Sequence, residues 1–450
     1  MKTFKRRTFL QRTGACILGF PYLVNASALG RDGAVAPSDR IVIGSIGIGS
    51  MGTGDMRSLL GHRDVHIRAV CDVWEQNRIR AKEIVDEHYG DKGCAAYIDF
   101  RELIARKDID AVQISTPDHW HVLIALEAAR HGKDIFMQKA MGLSLTEDKV
   151  LRSEVNRYGV VFQHGTQQRS DQRFRFACEL VRNGRIGRLE RILISSSSWG
   201  AGWPLQPVMP VPKELNYDLW LGPAPAAPYT YDRCRSGKHG QGQGIWYRIS
   251  DYSTGEIGTN WGIHHLDIAQ WANGSDDSGP VAVEGSAIFP EDGLANNVLF
   301  FNIKHTYANG VVLTHIDHFT CRKNTYFAGR MPVKDGRGIL FEGTEGWVFV
   351  ERGIIDAHPK SLLQSIIGPD EIHLSDSTDH FRNWLDCIKS REKTVCPVEV
   401  ALRSDTLVHQ ALISLRLGRK LSWDPVKEEF VNDEQANRLM TRALRSPWHL

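Results

Sequence analysis

Gly47, Gly49 and Gly52 stand in the run Gly47-Ile48-Gly49-Ser50-Met51-Gly52. This spacing lets a backbone turn tightly, approach a pyrophosphate and present it to a helix N-terminus. Asp72 follows twenty residues past Gly52. A carboxylate there is placed to meet an adenosine ribose 2′-hydroxyl and would repel a 2′-phosphate, so the expected cofactor is NAD rather than NADP. Further along, Trp261-Gly262-Ile263-His264-His265-Leu266-Asp267 gathers ionisable side chains. On a helix, His264 and Asp267 share a face while His265 points elsewhere. Two ligands are too few for a closed zinc site, and no metal is expected.

The elements around these residues read as alternating strands and helices. Apolar runs at 41–46, 67–71, 111–115 and 134–137 have the length of buried strands, and 77–88 and 119–131 are amphipathic. Such alternation implies a parallel sheet with right-handed crossovers, a Rossmann-type domain over residues 40–163. The glycine run follows the first strand directly, and Asp72 ends the second.

Two more loops then acquire meaning. Thr116-Pro117-Asp118-His119-Trp120-His121 resembles the T-P-x-x-x-H loop of the Gfo/Idh/MocA oxidoreductases, the glucose–fructose oxidoreductase and inositol dehydrogenase type. Met137-Gln138-Lys139-Ala140-Met141 resembles that family's E-K-P segment, and residues 261–267 its D-x-G-x-H-x-x-D signature. The resemblance spans about residues 40–425. It implies Lys139 and His264 as catalytic groups beside the nicotinamide, and Thr116, Pro117, His121 and Gln138 as cofactor contacts. It implies Asn260, Gln168, Arg169 and Asp267 on the substrate side. The chemistry is consistent: removing hydride from a carbon requires a base for the hydroxyl proton, and histidine titrates near neutrality. A lysine at the carboxyl end of a strand can hydrogen-bond the forming carbonyl oxygen. Three positions depart from the pattern: Gln138 for glutamate, Ala140 for proline and Asn260 for aspartate. Neither Gln138 nor Asn260 can take a proton.

Residues 164–425 are expected to form an α+β domain with an open, mostly antiparallel sheet. Strand-like patterns occur at 188–199, 281–289, 298–307, 311–319, 337–342 and 346–351. One face of that sheet would meet the cofactor, and the other suits a homo-oligomer, dimer or tetramer. Residues 426–450 are left as a C-terminal tail. The long segment 200–258 holds seven of the chain's 18 prolines between Pro204 and Pro228. Its aromatic residues, with Trp199 and Tyr247 foremost, offer flat faces of the kind that stack on sugar rings. Gln163–Arg169 adds polar density at a strand end, giving Gln168 and Arg169 a substrate role.

The chain as a whole sets outer bounds. Its 450 residues exceed one hydrophobic core, and 42% hydrophobic with 24% charged residues is ordinary for a globular protein. Residues 1–30 read as a twin-arginine export signal: Lys5-Arg6-Arg7-Thr8-Phe9-Leu10, an apolar stretch from Gly14 to Val24, and Ala26-Ser27-Ala28 for cleavage. Residues 1–28 carry five basic residues and no acid, so 50 basic and 53 acidic residues remain, a balance of −3. No nucleic acid partner is expected, nor a membrane anchor once the signal is cleaved. Without Cys16 of the signal segment seven of the eight cysteines remain, and this odd number with no CxxC pair argues against a disulfide framework.

The expectation is thus an exported, periplasmic NAD-dependent oxidoreductase acting on a sugar or polyol hydroxyl, with its cofactor tightly held. A redox-neutral glycosidase working through a keto-sugar is the first alternative. A non-catalytic sugar-binding protein is the second.

Overall fold

A computed structural model of the chain describes residues 35–236, 242–324 and 337–450. The segment read as an export signal lies outside the described residues. No described helix is long and apolar enough to cross a membrane.

The first sheet has six strands: β1 (Ile41–Ile46), β2 (Val65–Cys71), β3 (Ala95–Tyr97), β4 (Ala111–Ile114), β5 (Asp134–Met137) and β6 (Phe162–His164). They lie in the order β3-β2-β1-β4-β5-β6, all parallel. The order reverses at β1, so the carboxyl ends of β1 and β4 frame a crevice where such sheets bind ligands. Helices α1 (Ser50–Leu60), α2 (Glu75–Tyr89), α3 (Phe100–Ile104), α4 (Asp118–Arg130) and α5 (Leu145–Tyr158) connect the strands. β4 and β5 are buried at every position, as strands covered on both faces must be.

After α6 (Gln172–Arg182) the chain builds a second sheet around β7 (Leu189–Ser196). A two-residue hairpin, β8 (Arg235–Ser236) with β9 (Gly242–Gln243), stands apart from it. The sheet's other strands are β10 (Ala282–Ile288), β11 (Phe300–Thr306), β12 (Val312–Asp317), β13 (Gly338–Gly343), β14 (Trp347–Glu351), β15 (Ile354–His358), β16 (Leu421–Asp424) and β17 (Glu429–Phe430). Their order is β15-β14-β13-β7-β12-β11-β10-β16-β17, with β7–β12 the one parallel pair among the described residues. The sheet is thus mixed and mostly antiparallel, as the sequence implied. α7 (Tyr217–Leu221), α8 (Tyr231–Cys234) and α9 (Gly262–Asn273) follow β7, with α10 (His318–Lys323) after β12. α9 is buried along eleven of its twelve residues between the sheet, α6 and the long α12 (Val398–Leu417).

Two segments cross back over the first domain. α11 (His380–Ser390) sets Phe381 against Phe136 at 4.6 Å between ring centroids, and its Trp384 and Leu385 are fully buried in the same cluster. Its Arg382 is paired with Asp64 at the start of β2. The C-terminal stretch does likewise: Trp448 packs edge-on against Trp120 of α4 at 4.7 Å, and Arg445 donates to the Gly222 carbonyl at 2.8 Å. Residues 426–450 therefore form β17, α13 (Glu434–Arg438) and a packed arm.

The proline-rich segment also lies on the cofactor domain. Trp220, Tyr229, Tyr252 and Ile249 bury themselves with Trp74, and the Trp120 indole donates to the Leu219 carbonyl at 2.8 Å. These aromatics pack the segment itself. The seven described cysteines are buried and unpaired.

Candidate active site

A cavity of about 550 Å³ opens at the carboxyl ends of β1, β2 and β4. Gly47, Gly49, Asp72, Thr116, Pro117, Gln138 and Lys139 line it together, with Asn77, Arg80, Trp220 and Trp246. The cavity is shaped for a dinucleotide. Gly47 has φ +81°, which favours glycine, and a Cβ on Gly52 would meet the Gly47 carbonyl oxygen at 1.9 Å. A Cβ on Gly49 would meet nothing within 4 Å, so the open side of the turn faces free space at the start of α1. Thr116 Oγ1 is buried and has no partner among the described residues, a donor left for a ligand.

Asp72 is fastened to the glycine turn. Its carboxylate accepts from the Ile48 amide (2.8 Å), the Trp74 amide (2.8 Å) and the Asn77 side chain (3.2 Å). A carboxylate has about four acceptor positions, so capacity for a ribose hydroxyl remains. Arg80 reaches the same turn, donating to the Ile48 carbonyl at 3.0 Å. Its cation sits where a pyrophosphate or ribose would approach.

Lys139 closes the far end of the cavity. Its Nζ donates to the Thr259 carbonyl, in the segment just before α9. The Thr259 hydroxyl in turn donates to Asp118 Oδ2, at the N-terminus of α4. Three loops far apart in sequence therefore meet at one lysine. Burial pushes the Lys139 amine down, opposed foremost by the nearby Asp118 carboxylate. Asp118 is itself pushed up to about 7 by burial, against the Thr259 hydroxyl and the Lys139 charge. His121 is buried with its ring nitrogens 2.6 Å from the Ala140 carbonyl and 2.8 Å from the Thr116 carbonyl. It ties the two cofactor-side loops to each other rather than facing the cavity.

His264 lies in the first turn of α9, 5% exposed, with Nδ1 unpartnered. Burial, reinforced by the Lys139 charge, holds its pKa well below the usual histidine range, which favours the neutral ring. Asn260 donates to Glu256 Oε2 at 2.9 Å. Glu256 is 3% exposed and pushed up to about 7 by burial, opposed by Asn260, Arg248 and Lys139. The carboxylate missing at position 260 is thus present one turn earlier. A parallel arrangement stands behind Gln138, whose amide donates to Asp55 Oδ2 at 3.0 Å. The Ser115 hydroxyl donates to the same oxygen at 2.7 Å, and burial pushes Asp55 up to about 6. Asp55, Arg80, Glu256 and Thr259 belong to no motif pattern, and Asp118 counted only as a member of its loop.

The remaining expected residues separate into two groups. Trp199 and Tyr247 stand 5.5 Å apart between ring centroids, and the Arg248 guanidinium lies 4.0 Å over Trp199. Trp199 is 44% exposed, with Glu256's neighbour Arg248 over its ring. Arg169 and Asp267 are bonded to each other instead, at 2.8 Å, with Asp276 a second partner at 2.7 Å. Ser404 donates to the other Asp267 oxygen at 2.8 Å, and Arg169 stacks on Trp271. This buried pair bolts the turn before α6 to α9. Gln168 beside it is 2% exposed with neither amide atom partnered.

Comparison with known proteins identifies the family and the fold. Residues 41–166 match the GFO_IDH_MocA oxidoreductase family, NAD-binding Rossmann fold, and residues 180–450 match the same family's C-terminal alpha/beta domain. An uncharacterized oxidoreductase, YrbE, from Bacillus subtilis is 32% identical over 159 residues, covering 35% of this chain and 44% of that protein. An alpha-N-acetylgalactosaminidase from Shewanella oneidensis is 31% identical over 165 residues, 33% of this chain and 36% of that one. The matched part is less than half the length of these relatives. Among solved structures, the aldose-aldose oxidoreductase from Caulobacter crescentus superposes with TM-score 0.59 at 16% identity, over 85% of this chain and 99% of that one. The WlbA dehydrogenase from Bordetella pertussis, in complex with NADH and UDP-GlcNAcA, gives 0.59 at 16%, over 86% and 99%. These two similarities establish the shared fold.

Proposed function

The chain belongs to the Gfo/Idh/MocA oxidoreductase family and carries its NAD-binding domain, and from that premise we propose that it oxidises a CH–OH group of a sugar or polyol. The observation that carries this reading is the meeting of Lys139, Thr259 and Asp118 at the end of the cofactor cavity, with His264 in the first turn of the helix that follows Thr259. Bound NAD supplies the hydride acceptor. The hydroxyl proton leaves toward His264, whose neutral ring has an unpaired nitrogen. Lys139 faces the same oxygen and stabilises the negative charge that develops there. Thr259 and Asp118 fix the position of the lysine.

Asp55 and Glu256 weigh against a non-catalytic binding protein, because the carboxylates absent at 138 and 260 have counterparts in contact with those same side chains. Trp199 offers the apolar face of a sugar a flat partner. The test is to incubate the NAD-loaded protein with a panel of sugars and glycosides and follow NADH formation. A panel that yields neither NADH nor any altered sugar would refute the reading.

One observation favours a redox-neutral variant. Beside the proposed base His264 stands a second ionisable group, Glu256, whose charge acts on Lys139, and elimination from a transient ketone needs a second acid or base beyond the one that serves oxidation. The relatives named as glycosyl hydrolases are consistent with this variant. Export through the twin-arginine route, with NAD held from the cytosol onward, would suit a cycle that regenerates its own cofactor. Lysine at both Arg6 and Arg7 should then retain the precursor inside the cell; unimpaired export of that variant would remove the argument.

A further inference from the structure

A second cluster of ionisable side chains stands apart from the cofactor cavity. Asp405 and His409 are four residues apart on α12, the spacing that puts two potential ligands on one helix face. Asp148 on α5 meets them, with His409 Nε2 2.9 Å from Asp148 Oδ2. One ligand atom from each of the three lies within 4.8 Å of the others. His164, at the end of β6, brings Nε2 to 3.9 Å from Asp405 Oδ2. Asp148, Asp405 and His164 are 0% exposed and His409 4%.

The cluster is unsatisfied as it stands. Asp148 Oδ1, Asp405 Oδ2 and both ring nitrogens of His164 have no hydrogen-bond partner among the described residues. Neither aspartate is paired with an arginine or lysine among the described residues. Two carboxyl groups taken out of water need either a proton or a cation between them.

We propose that Asp148, Asp405 and His409 form a buried site for a divalent transition-metal cation of the zinc or manganese class, with His164 as fourth donor. Bonds of about 2.1 Å in a tetrahedral site place ligand atoms about 3.4 Å apart. That separation falls between the 2.9 Å of the closest pair and the 4.8 Å bound on the group. Two nitrogens and two oxygens suit such a cation. Calcium would want six to eight oxygens, and magnesium retains waters that this closed site cannot house. The cation would clamp α5 to α12. It would also act on the active site, because Asp405 Oδ1 accepts from the Met141 amide at 3.2 Å, two residues beyond Lys139.

The experiment is elemental analysis of the full chain, purified without a histidine tag from cells supplied with zinc and manganese, alongside Asp148→Asn and His409→Gln. About one equivalent of zinc or manganese per chain is expected in the wild type and less than a tenth in either variant. Because a variant could fail to fold, the wild type is also stripped with a strong chelator. Stripping should lower its Tm by several degrees, and zinc or manganese should restore it. A wild type that holds no metal and whose Tm is unmoved by either ion would overturn the proposal and leave a proton shared between the two aspartates. Metal retained in both variants would overturn the assignment of ligands.

Discussion

Asn260 donates its side-chain amide to Glu256 Oε2 at 2.9 Å, so the residue that cannot ionise is joined to one that can. Burial pushes that carboxyl up to about 7. If the carboxylate form serves as proton acceptor, turnover rises with pH through about 7 in the wild type. Glu256→Gln should flatten that limb and cut turnover about tenfold or more, with NAD retained. An unchanged pH profile in the variant would exclude Glu256 from the proton path while leaving hydride transfer intact.

His264→Ala should retain NAD and lose about 10²–10⁴-fold in turnover, the usual cost of removing a general base. Lys139→Met should be damaged comparably, in kcat more than in KM, because its charge acts on the oxyanion rather than on the bound sugar. Steady-state kinetics paired with mass analysis of retained NAD separates the two effects.

Asp55 gives a stability test free of catalysis. Burial pushes its carboxyl up to about 6, from the usual aspartate value near 3.8. A raised carboxyl pKa means that the stability it contributes is fully present below about pH 4 and is lost as pH rises through about 6. Asp55→Asn keeps an acceptor for Ser115 and Gln138 but does not titrate. Measured on cofactor-free protein by denaturant unfolding, the variant should gain on the wild type by roughly 3 kcal/mol between pH 3.5 and pH 8. A constant difference across that range would mean Asp55 is not buried as described.

Arg169 and Asp267 should behave as scaffold. Asp267→Asn removes one partner of a buried charge and should cost about 3 kcal/mol in urea unfolding, with KM for the sugar unchanged. A tenfold rise in KM without loss of stability would return both residues to the substrate.

How much of this was legible in the sequence depends on range. The glycine turn, Asp72 and Lys139 lie at the ends of apolar runs, and strand ends of a parallel sheet fall on one edge, so their convergence followed from topology. β3 and β6 are only three residues each, too short for a periodic signal. α11 is visibly amphipathic through Phe381, Trp384 and Leu385, yet periodicity gives a helix its buried face and not the partner it packs on. Arg169 drew notice by sitting among polar residues, but one sequence cannot distinguish an arginine facing a ligand from one facing Asp267. Glu256 was silent because a lone carboxylate in a glycine-rich loop has no spacing to mark it. Gln138 and Asn260 carry no charge in the sequence, and the Asp55 and Glu256 carboxylates bonded to them are visible only in space.

The most direct test of the central claim is isotope transfer. The NAD-loaded protein is incubated with sugars deuterated at their ring carbons, denatured, and its nicotinamide cofactor analysed by mass. With the reaction quenched within the first turnover, before a redox-neutral cycle can return the deuteride to the sugar, deuterium is expected in the reduced cofactor for at least one sugar class and should disappear in Lys139→Met. A cofactor that stays bound yet carries no deuterium from any sugar at any quench time would contradict hydride transfer at this site.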